Sequence, residues 1–208
     1  MVRKMIVLCL AAALALPVCA FWGSGDTLKV TADTWVYQFK PNKNYGDGRG
    51  WADITDPTKS VTVPKMFLGF GGSDKKTVLL KFDTSRLKKD KPVKKATVCI
   101  YNDYAGSAAS VKVAAKMISS AWDEMKVTYN TRPKTAGQVL STLTVVNKPN
   151  KGQWLTWDVT AAVKAWQSGK ANNGIMLDPQ GEYGVDFDII AREYKGQSAY
   201  YPKLEVSY

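Results

Sequence analysis

The feature that most constrains the fold is an alternation of apolar and polar residues that recurs in short runs along most of the chain. A period of two is the signature of half-buried β-strands, and Gly, Pro and Asn clusters separate the runs. About ten such runs predict an all-β sandwich or barrel. The runs are Trp35–Phe39, Met66–Phe70, Val78–Phe82, Ala96–Ile100, Val111–Met117, Val127–Tyr129, Leu155–Trp157, Ile175–Leu177, Val185–Ala191 and Leu204–Tyr208.

One segment departs from this pattern. In DVTAAVKAWQSG, residues 158–169, the apolar residues Val159, Val163 and Trp166 follow helical spacing. Asp158 is placed as the N-cap and Gly169 lies just beyond the end. We predict one short helix packed on the sandwich.

The N-terminus reads as a secretory signal peptide. Residues 1–20 have a basic start, an apolar run and a small-residue end, and that run of about a dozen residues is too short to span a bilayer. The sequence therefore predicts a signal peptide at 1–20, one domain at 21–208, and a secreted or cell-surface location. Lipoprotein anchoring through Cys19 is the alternative, although Val18 does not fit the usual lipobox.

The charge is strongly basic. The formal net charge is +11, of which +9 remains once Arg3 and Lys4 are removed. For an exported protein, such a surface favours acidic polysaccharide or anionic lipid as a partner and makes nucleic acid an unexpected one. Cys99 would be the single cysteine of the mature chain, which leaves either a covered thiol or a link to a second molecule.

The absence of histidine weakens enzyme hypotheses. It removes the commonest general base and the usual zinc ligand. The adjacent acids Asp123 and Glu124 fit either acid/base chemistry or a turn pinned to the sheet, with Arg192 as a partner for Glu124. A polysaccharide lyase that uses Tyr, Lys or Arg is the enzyme class left open.

Aromatic residues beside basic residues indicate a glycan-binding surface, since sugar rings stack on aromatic rings and carboxylated sugars pair with Arg and Lys. Ordinary packing, or an ion pair for Arg192, is the alternative for each. The basic run at 85–95 is either a glycan contact or a solvated loop. The candidate carbohydrate-binding residues are Tyr45, Arg49, Trp51, Tyr183, Arg192 and Tyr194.

Nine stretches, in order, resemble the DNRLRE domains of secreted bacterial and archaeal proteins, some of which are classed as carbohydrate-binding modules. The stretches are ADTWV, NYG, LLKFDTSRL, ATVCIY, SAWDEMKVTYNTRP, WLTWDVTAAVKAW, NNGIMLD, AREY and YPKLEVSY.

The resemblance implies a jelly-roll-like β-sandwich without catalytic activity of its own. It also implies that Trp122, Glu124, Asn130 and Pro133 are scaffold residues. The segment at 49–64 looks like an insertion relative to the family pattern, and we read it as a long loop.

A structural calcium ion is the cofactor that such a fold suggests. Asp33 lies near the start of the chain and Asp186 and Asp188 lie in a late strand, which would suit an ion between the first and last strands. Carboxylates that simply face solvent explain these residues equally well.

Together these features predict a secreted, non-catalytic domain that binds acidic extracellular or cell-wall glycans. The alternative is a structural protein of the cell surface or extracellular matrix that self-associates. Glycan binding predicts aromatic rings exposed on a groove, whereas assembly predicts an unpaired edge strand or an exposed apolar patch.

Overall fold

The structure is a computed structural model that describes residues 25–46, 64–104, 109–146, 152–194 and 198–208. Within these residues it has ten strands, one α-helix and one short 3₁₀ helix at Ser198–Tyr200. The elements are β1 Gly25–Tyr37, β2 Lys65–Gly72, β3 Asp74–Phe82, β4 Lys95–Tyr104, β5 Ser110–Ile118, β6 Thr135–Val146, β7 Gln153–Asp158, α1 Thr160–Gln167, β8 Ile175–Gln180, β9 Gly184–Ile190 and β10 Lys203–Ser207.

All strand pairings are antiparallel, and β1 takes part in both layers of the sandwich. Its first part, Gly25–Lys29, pairs with β10, which pairs in turn with β4, and β4 pairs with β7. After a register shift between Val30 and Ala32, β1 pairs with β3, and the order continues through β8 and β5 to β6. Strands β9 and β2 complete the path between β4 and β3.

The main core lies between the two layers. Alternate residues of one layer, including Val78, Val113 and Leu177, meet alternate residues of the other, including Val98 and Trp157. The indole Nε1 of Trp157 donates to the Val113 carbonyl at 2.9 Å and links β7 to β5. A buried indole with a satisfied N–H fixes how the two layers face one another.

A second, smaller cluster lies on the outer side of the β3–β8–β5 layer. Val36, Leu79, Ile118, Val127 and Met176 form it, and Trp122 and Tyr129 pack against it. Residues 119–134, which connect β5 to β6, therefore cover one end of this outer face.

The helix agrees with the sequence prediction in position and differs at its cap. Helix α1 begins at Thr160, and Val159 is the N-cap residue without a side-chain hydrogen bond. The Asp158 carboxylate still accepts from the Thr160 N–H at 2.9 Å. The expected N-cap residue is therefore off by one position but performs a similar role.

The predicted fold class, an all-β jelly-roll-like sandwich with one short helix, is confirmed. Cys99 is fully buried, in agreement with the covered alternative, and in the full 208-residue chain it is disulfide-bonded. No helix in the described part of the chain combines the length and apolarity needed to cross a bilayer.

Candidate functional site

Glu124, the second member of the Asp123–Glu124 pair, is part of the scaffold. Glu124 Oε1 accepts from the Asp33 N–H at 2.7 Å, and its Oε2 lies 2.5 Å from Arg192 Nη2. Trp122 Nε1 donates to the Asn173 carbonyl at 2.8 Å. Glu124 thus joins the β5–β6 connection to β1 and to the chain after β9, and the ion pair with Arg192 that the sequence suggested is confirmed.

Arg192 is the centre of a cluster with three carboxylates. Its Nε lies 3.1 Å from Asp33 Oδ1, and its Nη2 lies 3.1 Å from Glu193 Oε1. Oxygens of Asp33, Glu124 and Glu193 lie within 4.8 Å of one another, a spacing that a metal ion also requires. The guanidinium is already the cation among these acids, so the donor set fits a calcium ion poorly.

The other two candidate calcium ligands lie elsewhere. Asp186 forms an ion pair with Lys76, and Asp188 forms one with Lys65 at 3.0 Å. Among the described residues, the carboxylate group that contains Asp33 includes neither of them. The structure therefore separates the Asp33, Asp186 and Asp188 set that the sequence suggested.

Asp33 is expected to be protonated in the folded protein at neutral pH. Burial, together with the nearby charge of Glu193, raises the pKa of Asp33 from 3.8 to about 8, against the opposing effect of Arg192. The folded state then holds a proton that the unfolded state releases near pH 4. The contribution of Asp33 to the free energy of unfolding is therefore full below about pH 4 and is lost as the pH rises to about 8.

The Asp33→Asn variant should therefore lose this pH dependence. We expect its free energy of unfolding, relative to the unsubstituted protein, to improve between pH 5 and pH 8 by a few kcal/mol, at about 1.4 kcal/mol for each pH unit between the two pKa values. Urea unfolding at both pH values measures it. A difference between the two proteins that is constant with pH would contradict a raised pKa.

Tyr45 is a core residue and not a surface one. Its side chain is 1% exposed, and its ring stacks on Trp35 with the centroids 4.0 Å apart. Asn44 holds this turn in place by donating to the Glu124 and Val127 carbonyls. The predicted role of Tyr45 in sugar stacking is therefore wrong, while Arg49 and Trp51 lie outside the described residues.

The remaining candidates do not form one site. Tyr183 is 78% exposed in the turn before β9, whereas Arg192 and Tyr194 follow β9. Seven residues of strand separate them by about 20 Å. Tyr194 is half-buried, and its carbonyl accepts from the Tyr201 hydroxyl at 2.7 Å.

The basic run at 85–95 is anchored to the body of the protein. Leu87 and Val93 are buried in the main core, and Gln167 Nε2 donates to the Lys88 and Lys91 carbonyls. Lys88 also pairs with Asp26 at 3.6 Å. The loop is thus held at fixed points between its exposed lysines.

A cavity of about 540 Å³ lies beside Arg192, at the edge where β1 pairs with β10. Lys29 and Lys203 both line it, and they are directly opposite each other in the β1–β10 register. Opposite residues of an antiparallel pair share a face, so two like charges lie side by side. Glu205 pairs with Lys203 at 3.0 Å and offsets part of this repulsion.

Three half-buried aromatic rings continue this surface. The Lys203 ammonium lies 4.7 Å from the Trp154 ring centroid. The Tyr101 ring lies 5.4 Å from Trp154 and 4.3 Å from Tyr200. We refer to Lys29, Tyr101, Trp154, Tyr200 and Lys203 as the lysine–aromatic surface.

This surface occupies the outer face of the β10–β4–β7 layer. Ile100 and Leu155 belong to the main core, so their neighbours Tyr101 and Trp154 point to the opposite side. The arrangement places aromatic rings, which suit the C–H faces of sugars, beside ammonium groups, which suit carboxylates.

The whole described fold matches one family model. Residues 25–208 match carbohydrate-binding module family 96. The chain belongs to this family. It is accordingly a carbohydrate-binding domain, which confirms the carbohydrate-binding part of the resemblance, while the DNRLRE assignment stays a prediction.

Longer proteins contain a segment similar to this family 96 domain. The tRNA3(Ser)-specific nuclease WapA of Bacillus spizizenii and the tRNA nuclease WapA of Bacillus subtilis strain 168 are each 32% identical over 193 residues. The match covers 88% of this chain, and the chain spans about 7% of the length of these relatives.

Solved structures that match this chain include one with a weak likeness. It contains the CBM22-1 and GH10 modules of the Clostridium thermocellum xylanase 10B in complex with xylohexaose. The TM-score is 0.27 at 13% identity, over 88% of this chain and 28% of that chain. A likeness this weak implies nothing about the ligand of the family 96 domain.

The sequence prediction missed all five residues of the lysine–aromatic surface. Tyr101 and Trp154 alternate with core residues, which was a usable signal, but Lys29 and Lys203 become neighbours only through the β1–β10 register. Strand parity identifies a face of the family 96 domain, whereas strand order decides which side chains share it.

Proposed function

We propose that this domain binds a carboxylated polysaccharide on the lysine–aromatic surface and does not cleave it. The observation that carries the proposal is the position of Lys203, between the Trp154 ring at 4.7 Å and Lys29 across the strand pair. A uronate residue could lay its ring against Trp154 or Tyr200 and pair its carboxylate with either lysine.

The charge of the surface favours an acidic glycan over a neutral one. Lys29 and Lys203 repel each other across the ladder, and an anionic ligand would relieve that repulsion. The overall excess of lysine and arginine acts in the same direction over longer distances. Export, with cleavage after residue 20, is part of this proposal.

A non-catalytic role is supported by the contacts that the carboxylates make. Glu124, from the adjacent pair Asp123–Glu124, and Asp33 bind Arg192 and backbone N–H groups and therefore lack the freedom that acid/base catalysis requires. The nuclease activity in the names of the WapA proteins belongs to proteins of which this chain spans only about 7%.

Trp154→Ala should weaken glycan binding at least tenfold, which corresponds to about 1.4 kcal/mol. Isothermal titration of the purified protein with oligogalacturonate measures the change, and neutral xylan serves as the uncharged comparison. Binding should also weaken between 0.05 and 0.5 M salt, because the Debye length falls below about 5 Å.

Tyr183→Ala is the matched control, since it removes an exposed aromatic ring outside the lysine–aromatic surface. Its affinity should stay within twofold of the unsubstituted protein. Equal losses in both variants, or xylan binding that ignores salt, would contradict the proposed site and ligand class.

Self-association is the second candidate, and strand β6 is the observation that favours it. This strand of twelve residues, Thr135–Val146, contains no charged residue and no proline, and it ends the strand order. Val139 and Val146 are 44% and 54% exposed. A long uncharged edge strand is a template for pairing with a second copy. If the protein forms oligomers in analytical sedimentation without any glycan, and does not bind uronate, self-association is favoured over glycan binding.

A further inference from the structure

A second groove lies on the opposite side of the sandwich from the lysine–aromatic surface. In β3 and β8, Val78 and Leu177 face the main core, so Thr77 and Asp178 face outward. Tyr129 and Arg132, from the β5–β6 connection, form the other wall.

The groove is a cavity of about 220 Å³. Lys75 and Lys116 both reach Asp178, at 3.3 Å and 2.6 Å. The Arg132 guanidinium lies 4.0 Å from the Tyr129 ring centroid, and its Nη1 donates to the Tyr129 carbonyl at 2.6 Å. We refer to Lys75, Lys116, Tyr129, Arg132 and Asp178 as the arginine groove.

The arginine groove has an excess of positive charge. Three cationic side chains face a single carboxylate, that of Asp178. Burial opposes ionisation there, but hydrogen bonds and charges from Lys116 and Lys75 hold the pKa of Asp178 below its ordinary value. Asp178 is thus an internal anion that holds two lysines together, and beside them Arg132 donates to one carbonyl among the described residues.

The shape and charge of the groove suit a carboxylate on a sugar ring. Arg132 is held by stacking and by one hydrogen bond, which leaves other guanidinium N–H groups to meet a planar carboxylate. Pro133 is buried and fixes the chain next to Arg132, so this donor is oriented before a ligand arrives.

We propose that the arginine groove is a second binding site for uronate residues, and that the domain cross-links acidic polysaccharide chains by binding one on each outer face. Cross-linking rests on the proposed function of the lysine–aromatic surface, whereas uronate binding in the arginine groove does not. The core separates the two sites, so neither one sugar nor one short oligomer can fill both.

The test measures stoichiometry and cross-linking separately, in buffer without divalent ions. Short oligogalacturonate should bind two per protein in isothermal titration, and the protein should raise the viscosity of dilute polygalacturonate. Methyl-esterified polymer, which lacks the carboxylate charge, should show neither effect.

Variants of the two sites should behave differently. A double variant with Arg132→Gln and Lys116→Gln should bind one oligomer per protein and fail to raise viscosity, and Trp154→Ala should likewise keep one site. Asp178→Asn, which frees both lysines, should strengthen binding in the groove at least threefold. The thermal unfolding midpoint of each variant shows whether it is folded. If the double variant is unstable, the single variant Lys75→Gln takes its place.

The outcomes separate the two proposals. One oligomer per protein, with binding unchanged by the groove variants, would overturn the second site. Binding that the groove variants abolish and Trp154→Ala leaves intact would overturn the proposed function while supporting the arginine groove. Absence of any uronate binding would overturn both.

Discussion

Arg192→Leu is expected to lower the free energy of unfolding by about 3 kcal/mol, the lower end of the usual cost of breaking a buried charge pair, because Arg192 itself is partly exposed. Its loss would leave the carboxylates of Glu124 and Glu193 close together without their cation, beside the protonated Asp33. It would also disconnect the segment after β9 from the β5–β6 connection, which Glu124 holds. Urea unfolding at pH 7 measures the change.

Arg86→Leu is the control for this prediction. Arg86 is exposed in the connection between β3 and β4, so its replacement should change stability by no more than about 0.5 kcal/mol. If Arg192→Leu cost as little as Arg86→Leu, the cluster would be a surface feature and our account of Glu124 as scaffold would be wrong.

Gly174→Ala is expected to cost more than about 3 kcal/mol, because strain and overlap act together. Gly174 has φ +95°, and a Cβ there would lie 2.1 Å from the Leu80 carbonyl oxygen, in the neighbouring strand β3. The Gly174 carbonyl also accepts from the Ile118 N–H at 3.0 Å, so the backbone cannot move away without losing this bond.

Gly169→Ala separates the two contributions. Gly169 has φ +96°, nearly the same conformation, but a Cβ there would meet nothing within 4 Å. Its replacement should cost about 1–2 kcal/mol, the price of a left-handed conformation alone. Thermal or urea unfolding of both variants gives the difference, and equal costs would show that the contact with Leu80 relaxes freely.

Strand positions could be predicted where a strand keeps one face in the core along its whole length. Strand β6 was missed because its pairing with β5 shifts register between Ala115 and Lys116. Leu140 and Leu143, three residues apart, both pack on the main core, so the period of two holds only from Ser141 to Val146 and not along the whole strand. A bulge changes the parity of a strand in a way that local sequence does not reveal.

The opposite error occurred at Val127 and Tyr129. Their spacing suggested a strand, but they lie in the β5–β6 connection and pack on the second cluster. Both side chains point toward one outer face because the connection folds over it. Alternation reports burial on one side and cannot by itself distinguish a strand from a covering loop.

The sequence predicted the chemistry of the candidate site, aromatic rings beside basic side chains, better than it predicted which residues form the site. The pairing of Arg192 with Glu124 followed from charge and resemblance, and it is present. Tyr45 failed because a loop aromatic beside Asn44 and Gly46 was drawn into the core, where it stacks on Trp35. The lysine–aromatic surface depends on the order of β10, β4 and β7, which contacts distant in sequence decide.

The double pairing of β1 also determines how the domain would respond to mechanical tension. Gly25 pairs with Ser207, so the two ends of the described fold are neighbours at one end of the β1–β10 ladder. A pull that separates them would load this ladder one residue pair at a time, from Gly25 toward Lys29, as in an unzipping geometry. Because β1 then continues into the other layer along β3, peeling it away would open both layers from a single strand.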